Sequence, residues 1–190
     1  KAEGVAGQGG GVDIMLVCAI IESRINIWRD LALAARDSLT GLSGRNAFRT
    51  WYIQNHSWKR DETISLFIMD IDYFKRINDV YGHGEGDSAL RLLSEELRLL
   101  VGSGGFVCRW GGDEFVGVMD GDAAKVKAKL EAMGRKLRRV KVDDLFFMGV
   151  SAGILEVDKE QDIDVLVELA DRALYRAKEA GRGCVCVYGD

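Results

Sequence analysis

A nearly continuous apolar run, Ile64-Ser65-Leu66-Phe67-Ile68-Met69, leads straight into Asp70-Ile71-Asp72. Such a run is too short for an ordinary helix and has no polar face, so it predicts a strand buried on both sides. The acids at its end must sit where the strand leaves the core, and a carboxylate at a strand end is held rigidly. Two further apolar stretches, Phe106 to Trp110 and Phe115 to Met119, flank Gly111-Gly112-Asp113-Glu114. Two strands around a glycine-bearing loop of this size predict a hairpin with acids at its tip. If that hairpin lies beside the first strand, Asp70, Asp113 and Glu114 meet in one place and repel one another unless a cation neutralises them. Magnesium suits such a place, because it takes a few carboxylate oxygens and completes its shell with water and phosphate oxygens.

The rest of the chain supplies helices around these strands. After eleven glycine-rich residues that predict a flexible start, Asp13 is placed to cap a helix running to about Arg36. Ile14, Val17, Ile21, Trp28, Leu31 and Ala35 form one apolar stripe on it, which packs either on the domain itself or on a second chain. A turn at Leu39-Thr40-Gly41-Leu42 precedes a helix over Arg45 to Tyr52. A short helix over Phe74 to Val80 is followed by a glycine-rich turn through Gly82, Gly84 and Gly86. Ser88 to Val101 then reads as a helix with Leu90, Leu93, Leu97 and Leu100 on one face. Helices over Asp122 to Arg139 and Asp164 to Ala180 alternate with strands over Leu145 to Val157 and Cys184 to Tyr188. The order predicts an α+β domain with a mostly antiparallel central sheet and helices on one face.

Composition excludes some partners and compartments. A formal net charge of −4 argues against bulk nucleic-acid binding through phosphate neutralisation. The four cysteines and two histidines show no metal-ligand spacing, and Cys184-Val-Cys186 reads as one face of a short strand in a reducing, cytoplasmic setting. The longest apolar run, Ile14 to Ile21, is far too short to cross a bilayer. The chain begins with lysine, as a fragment or processed product would; an upstream sensory domain is expected, and a membrane anchor ahead of it stays open.

Taken together the motifs resemble one family. Gly111-Gly112-Asp113-Glu114-Phe115 spells the GGDEF signature of bacterial diguanylate cyclases. Four more stretches match that family in order: Asp37 to Leu42 with Arg45, Asp70 to Lys75 with Asn78-Asp79, Gly82 to Asp87, and Ala170-Asp171 through Tyr175 to Lys178 and Gly181-Arg182. The resemblance divides the chain into residues 1–36, a flexible start and a signalling or dimerisation helix, and 37–190, the cyclase domain. It implies a palm-like sheet, ferredoxin-like and similar to that of adenylyl cyclases. It implies condensation of two GTP into cyclic di-GMP, with release of two pyrophosphates. Two magnesium or manganese ions per active site would be held by Asp70, Asp113 and Glu114, helped by the backbone carbonyl of Ile71. Asp113 would also take part in activating the attacking 3′-hydroxyl.

The same resemblance assigns guanine to Asn78 and Asp87. A carboxylate can accept from both the N1 and N2 donors of guanine, whereas adenine presents an acceptor at N1 and no amino group at C2. Phosphate would fall to Lys75, Lys178 and Arg182 and to the backbone of Tyr73 and Phe74 at a helix start. Arg109 is expected to structure the hairpin, and His83 to be structural, not a general base. One departure stands out. Many members carry an arginine and an aspartate, three apart, as an inhibitory product site before the signature hairpin; here those positions are Gly102 and Gly105, so that site is expected to be absent. Each chain would hold one GTP, so catalysis implies a homodimer.

Overall fold

The computed structural model describes residues 36–55 and 63–190. The glycine-rich start and the helix expected up to about Arg36 lie outside the described residues, apart from Arg36 itself, which bridges Ser43. In chain order the elements are β1 (Ser43–Gly44), α1 (Arg45–Asn55), β2 (Ile64–Ile71), α2 (Phe74–Tyr81) and α3 (His83–Val101). Then follow β3 (Phe106–Gly111), β4 (Glu114–Asp120), α4 (Ala123–Leu137), β5 (Lys141–Val142), β6 (Phe146–Phe147), β7 (Val150–Glu156), α5 (Ile163–Glu179) and β8 (Val185–Val187).

Six strands form one sheet in the order β1-β3-β4-β2-β7-β8. The pairings of β3 with β4, β4 with β2 and β2 with β7 are antiparallel, while β1 and β8 join the edges in parallel. The α+β architecture with a mostly antiparallel sheet flanked by helices is therefore present. The narrower expectation of helices on one face is corrected. Every residue of β2 is buried, and its side chains alternate between two cores. Phe67, Met69 and Ile71 join Leu90, Leu93 and Leu97 of α3 and Leu130 and Met133 of α4. Ile64, Leu66 and Ile68 join Phe48 and Tyr52 of α1 and Leu166, Ala170 and Leu174 of α5. A strand covered on both sides needs no polar alternation, which is why its sequence is continuously apolar.

Two local expectations also change. The glycine-rich stretch Gly82 to Gly86 is not a turn beyond Gly82, since α3 begins at His83. Interior glycine costs a helix about 1 kcal/mol relative to alanine, but Gly86 is required by packing: a Cβ there would stand 2.0 Å from Asn78 Oδ1. The strand region expected over Leu145 to Val157 splits into β6 and β7. The first of these pairs with β5 across a turn at Asp143 and Asp144, both at positive φ, in a separate two-stranded sheet. Among the described residues no helix is long and apolar enough to cross a membrane.

Candidate active site

The antiparallel register sets Asp70, near the end of β2, directly opposite Glu114, the first residue of β4, with Asp113 in the adjoining turn. All three acids named from the sequence thus converge at one end of the central strands. Asp70 is buried, and Asp113 and Glu114 are half-buried. Burial, with the nearby charges of Asp113 and Glu114, pushes the Asp70 carboxyl up to about 6, even though Lys178 partly offsets the rise. Burial also raises Glu114, followed by the charges of Asp171 and Asp113. Asp171, on the exposed face of α5, is therefore part of this electrostatic cluster; it lies within a matched motif but carries no role there.

Lys178 Nζ donates to Asp70 Oδ2 at 2.7 Å. The sequence assigns Lys178 to phosphate, and the structure sets it on the acid at the centre of the cluster. Among the described residues no group of three or more His, Cys, Asp or Glu side chains is placed to hold a metal ion. The donor chemistry nonetheless fits a hard divalent cation. The oxygens are carboxylates that disfavour one another's ionised form, and Asp70 already draws in an ammonium group as counter-ion. Magnesium commonly binds through one or two carboxylates plus substrate phosphates and needs no complete protein cage.

The hairpin that carries Asp113 is braced from outside. Arg109 Nε and Nη2 donate to Gly112 O at 2.9 and 2.7 Å, and Nη1 donates to both oxygens of Asp37 at 3.0 Å. Asp37 Oδ1 also accepts from Thr40 N and Thr40 Oγ1. Burial alone would raise the Asp37 carboxyl, but the Thr40 hydrogen bonds and the Arg109 guanidinium outweigh it and hold it below its ordinary value. Arg109 thus ties the turn at residues 37–42 to the signature hairpin, in keeping with the structural part expected for it.

The residues expected to read the nucleotide lie on α2 and α3 and in the loops at their starts and after α5. Asn78 on α2 lies against Gly86 of α3, one residue before Asp87. Asp87 is half-exposed, and among the described residues its ion-pair partner is Arg91, Nη2 at 4.0 Å. Because α3 starts at His83, Asp87 does not cap it, which leaves its carboxylate available to a ligand. Tyr73 adopts a left-handed conformation at the start of α2 and makes no side-chain cap there. The Tyr73 side chain therefore satisfies none of the first-turn N–H groups of α2, an arrangement suited to an anion. Arg182 stacks its guanidinium over the Tyr73 ring, 4.6 Å from its centroid, while Lys75 and His83 are exposed on α2 and α3. Gly102 and Gly105 lie between α3 and β3, and a Cβ at Gly105 would stand 2.1 Å from Val118 O.

Sequence reasoning missed Asp72 and Ser151. Asp72 is buried and accepts from Ser151 Oγ at 2.6 Å and from Gly183 N at 2.9 Å. The signal available was the second acid of Asp70-Ile71-Asp72, one residue beyond the end of β2.

The profile of the family described as "Diguanylate cyclase, GGDEF domain" matches residues 34–184. Diguanylate cyclase DgcP of Pseudomonas aeruginosa is 35% identical over 157 residues, covering 78% of this chain and 23% of that protein. Cyclic di-GMP phosphodiesterase PdeR of Escherichia coli is 34% identical over 191 residues, covering 94% of this chain and 28% of that protein. The chain thus spans under a third of either curated relative. The coiled coil and GGDEF domain of DgcB from Caulobacter crescentus, solved with c-di-GMP, superposes with a TM-score of 0.77 at 27% identity. That match covers 90% of this chain and 94% of DgcB's.

Proposed function

The chain belongs to the diguanylate cyclase GGDEF-domain family, and from that premise we propose that it condenses two GTP into cyclic di-GMP across a homodimer, releasing two pyrophosphates. The carrying observation is the facing pair Asp70 and Glu114 beside Asp113, with the Lys178 ammonium already on Asp70. The relatives' names include both a cyclase and a phosphodiesterase, so the reading rests on these retained acids and not on the names.

Asp70, Asp113 and Glu114, with the Ile71 carbonyl, would hold magnesium or manganese, two ions per site. A divalent cation bound there supplies Lewis acidity, which lowers the pKa of the attacking 3′-hydroxyl and stabilises charge on the leaving pyrophosphate. The chain's own residues do the rest. Asn78 and Asp87 accept and orient guanine, fixing the sugar and α-phosphate relative to the acids. Lys178 neutralises Asp70 in the free domain and turns to the triphosphate when substrate arrives. Arg182, Lys75 and the N–H groups opening α2 gather the remaining phosphate charge. Asp113 sits at the hairpin tip, where it can accept the hydroxyl proton of the neighbouring nucleotide.

One GTP per chain makes turnover depend on the encounter of two chains, and the apolar stripe ahead of the domain is the device proposed to control it. Removing residues 1–35 keeps the Asp37–Arg109 brace, so it isolates that contribution. The truncated chain is expected to lose most activity at low concentration and to recover specific activity as concentration rises. Activity that is independent of both length and concentration contradicts the dimer.

Product inhibition through the site before the hairpin is expected to be missing and hard to restore. Gly102 has φ +61, and any side chain at Gly105 meets the Val118 carbonyl. Gly102→Arg with Gly105→Asp should lower stability by about 1–3 kcal/mol and leave turnover as insensitive to micromolar cyclic di-GMP as in the parent. Thermal melts and product-added rate assays check both parts, and a variant newly inhibited by product refutes the steric argument.

A further inference from the structure

The acidic end of β2 holds a second carboxylate that the reaction as described does not use. Asp72 is 8% exposed. Its Oδ1 accepts from Ser151 Oγ on β7 at 2.6 Å, and its Oδ2 accepts from Gly183 N at 2.9 Å. The same Gly183 N–H also reaches Ser151 Oγ at 3.1 Å. Asp72 is itself fixed, because its N–H donates to Gly149 O at 2.9 Å. One buried carboxylate therefore fastens the central strand, its neighbour β7 and the loop between α5 and β8.

That loop has an unusual backbone. Gly181, Arg182 and Gly183 all have positive φ, at 110, 66 and 63°. For arginine this conformation is disfavoured, so outside contacts must hold it. They are the Asp72 and Ser151 bonds to Gly183 N, an Arg138 Nη1 bond to Gly183 O, and Arg182 N to Ala177 O at 3.1 Å. The outcome is an Arg182 guanidinium parked over the Tyr73 ring at the uncapped start of α2.

We propose that Asp72 is a positioning residue for triphosphate binding: by pinning Gly183 it fixes the left-handed turn that aims Arg182 at the phosphates. Asp72 touches neither substrate nor reacting atoms and acts through Arg182. The inference rests on the reading that Arg182 binds the triphosphate.

The test uses the full chain with magnesium and 3′-deoxy-GTP, which lacks the attacking hydroxyl and cannot be condensed, beside 3′-deoxy-GMP. Affinities are measured for the parent, Asp72→Ala, Arg182→Ala and the double variant. Asp72→Ala should weaken the triphosphate about tenfold or more, the size of one lost charge-assisted contact, and the monophosphate by no more than about twofold. The double variant should bind the triphosphate no more weakly than Arg182→Ala alone. Losses that add in the double variant, or equal weakening of both nucleotides, overturn the inference and make Asp72 a general structural residue. Unchanged triphosphate affinity in Arg182→Ala overturns instead the phosphate reading beneath it. If Asp72→Ala does not fold, the isosteric Asp72→Asn carries the same comparison. It should raise KM for GTP while leaving kcat nearly unchanged, and a fall in kcat alone contradicts the proposal.

Discussion

Asp70→Asn is expected to melt higher than the parent at pH 8 without added metal and yet to make almost no cyclic di-GMP. The first half follows from burial. Asp70 is pushed up to about 6 from an ordinary 3.8, by burial first and then by the charges of Asp113 and Glu114, with Lys178 opposing. A folded-state value above the unfolded one means that the folded state holds the proton more tightly. The carboxyl's contribution to stability is therefore full below about pH 4 and is lost as pH rises through about 6. At pH 8 the ionised group costs the fold on the order of 3 kcal/mol relative to an unperturbed carboxylate. The amide stands in for the protonated carboxyl and removes that cost, in which the Lys178 attraction is already counted; relaxation and water around the ionised group trim the gain to about 1–2 kcal/mol and several degrees in Tm. Calorimetry from pH 4 to pH 8 checks the sign: the difference between variant and parent should vanish near pH 4 and grow through pH 6. A parent more stable than the variant at pH 8 would contradict the raised Asp70 carboxyl. The second half follows from the proposed role of Asp70 as a cation ligand, whose loss should cost the transition state several kcal/mol, on the order of 100-fold or more in rate. Added magnesium should raise the parent's Tm and leave that of the variant unmoved.

Asp87→Ser should collapse base discrimination with little effect on folding. The Asp87 carboxylate is half-exposed, and among the described residues its ion pair with Arg91 is a long one at 4.0 Å, so its removal costs the free domain little. In the complex it is proposed to accept from both N1–H and the 2-amino group of guanine, and each lost buried partner is worth about 1–3 kcal/mol. Inosine triphosphate, which lacks only the 2-amino group, isolates one of the two. The parent should prefer GTP over ITP about tenfold or more in kcat/KM, and the serine variant should show almost no preference. Equal discrimination in both proteins moves guanine recognition away from Asp87.

What the sequence could and could not show divides along physical lines. β2 and the β3–β4 hairpin were legible because burial on both faces and a two-glycine turn leave compositional marks. The meeting of Asp70 with Glu114 was legible only as a condition, since register depends on pairing across 44 positions of chain and not on local pattern. The early start of α3 was hidden because two glycines argue against helix locally, and the contact of Gly86 with Asn78 that outweighs them is tertiary. Helices on both faces were hidden for a related reason: a strand apolar throughout does not say how many layers cover it. The roles of Lys178 as counter-ion to Asp70 and of Asp72 as a tie to the Gly183 N–H depend on groups 108 and 111 positions apart meeting in the fold, and no spacing in the sequence encodes either.

The central claim is tested most directly by incubating the chain with magnesium and GTP and separating the nucleotide products by chromatography, beside an Asp113→Ala control of matched fold. The account predicts cyclic di-GMP and pyrophosphate from the parent and neither from the control. GTP left intact by the parent at high protein concentration, or with a dimerising helix fused ahead of residue 36, would contradict it and leave a nucleotide-binding module in its place.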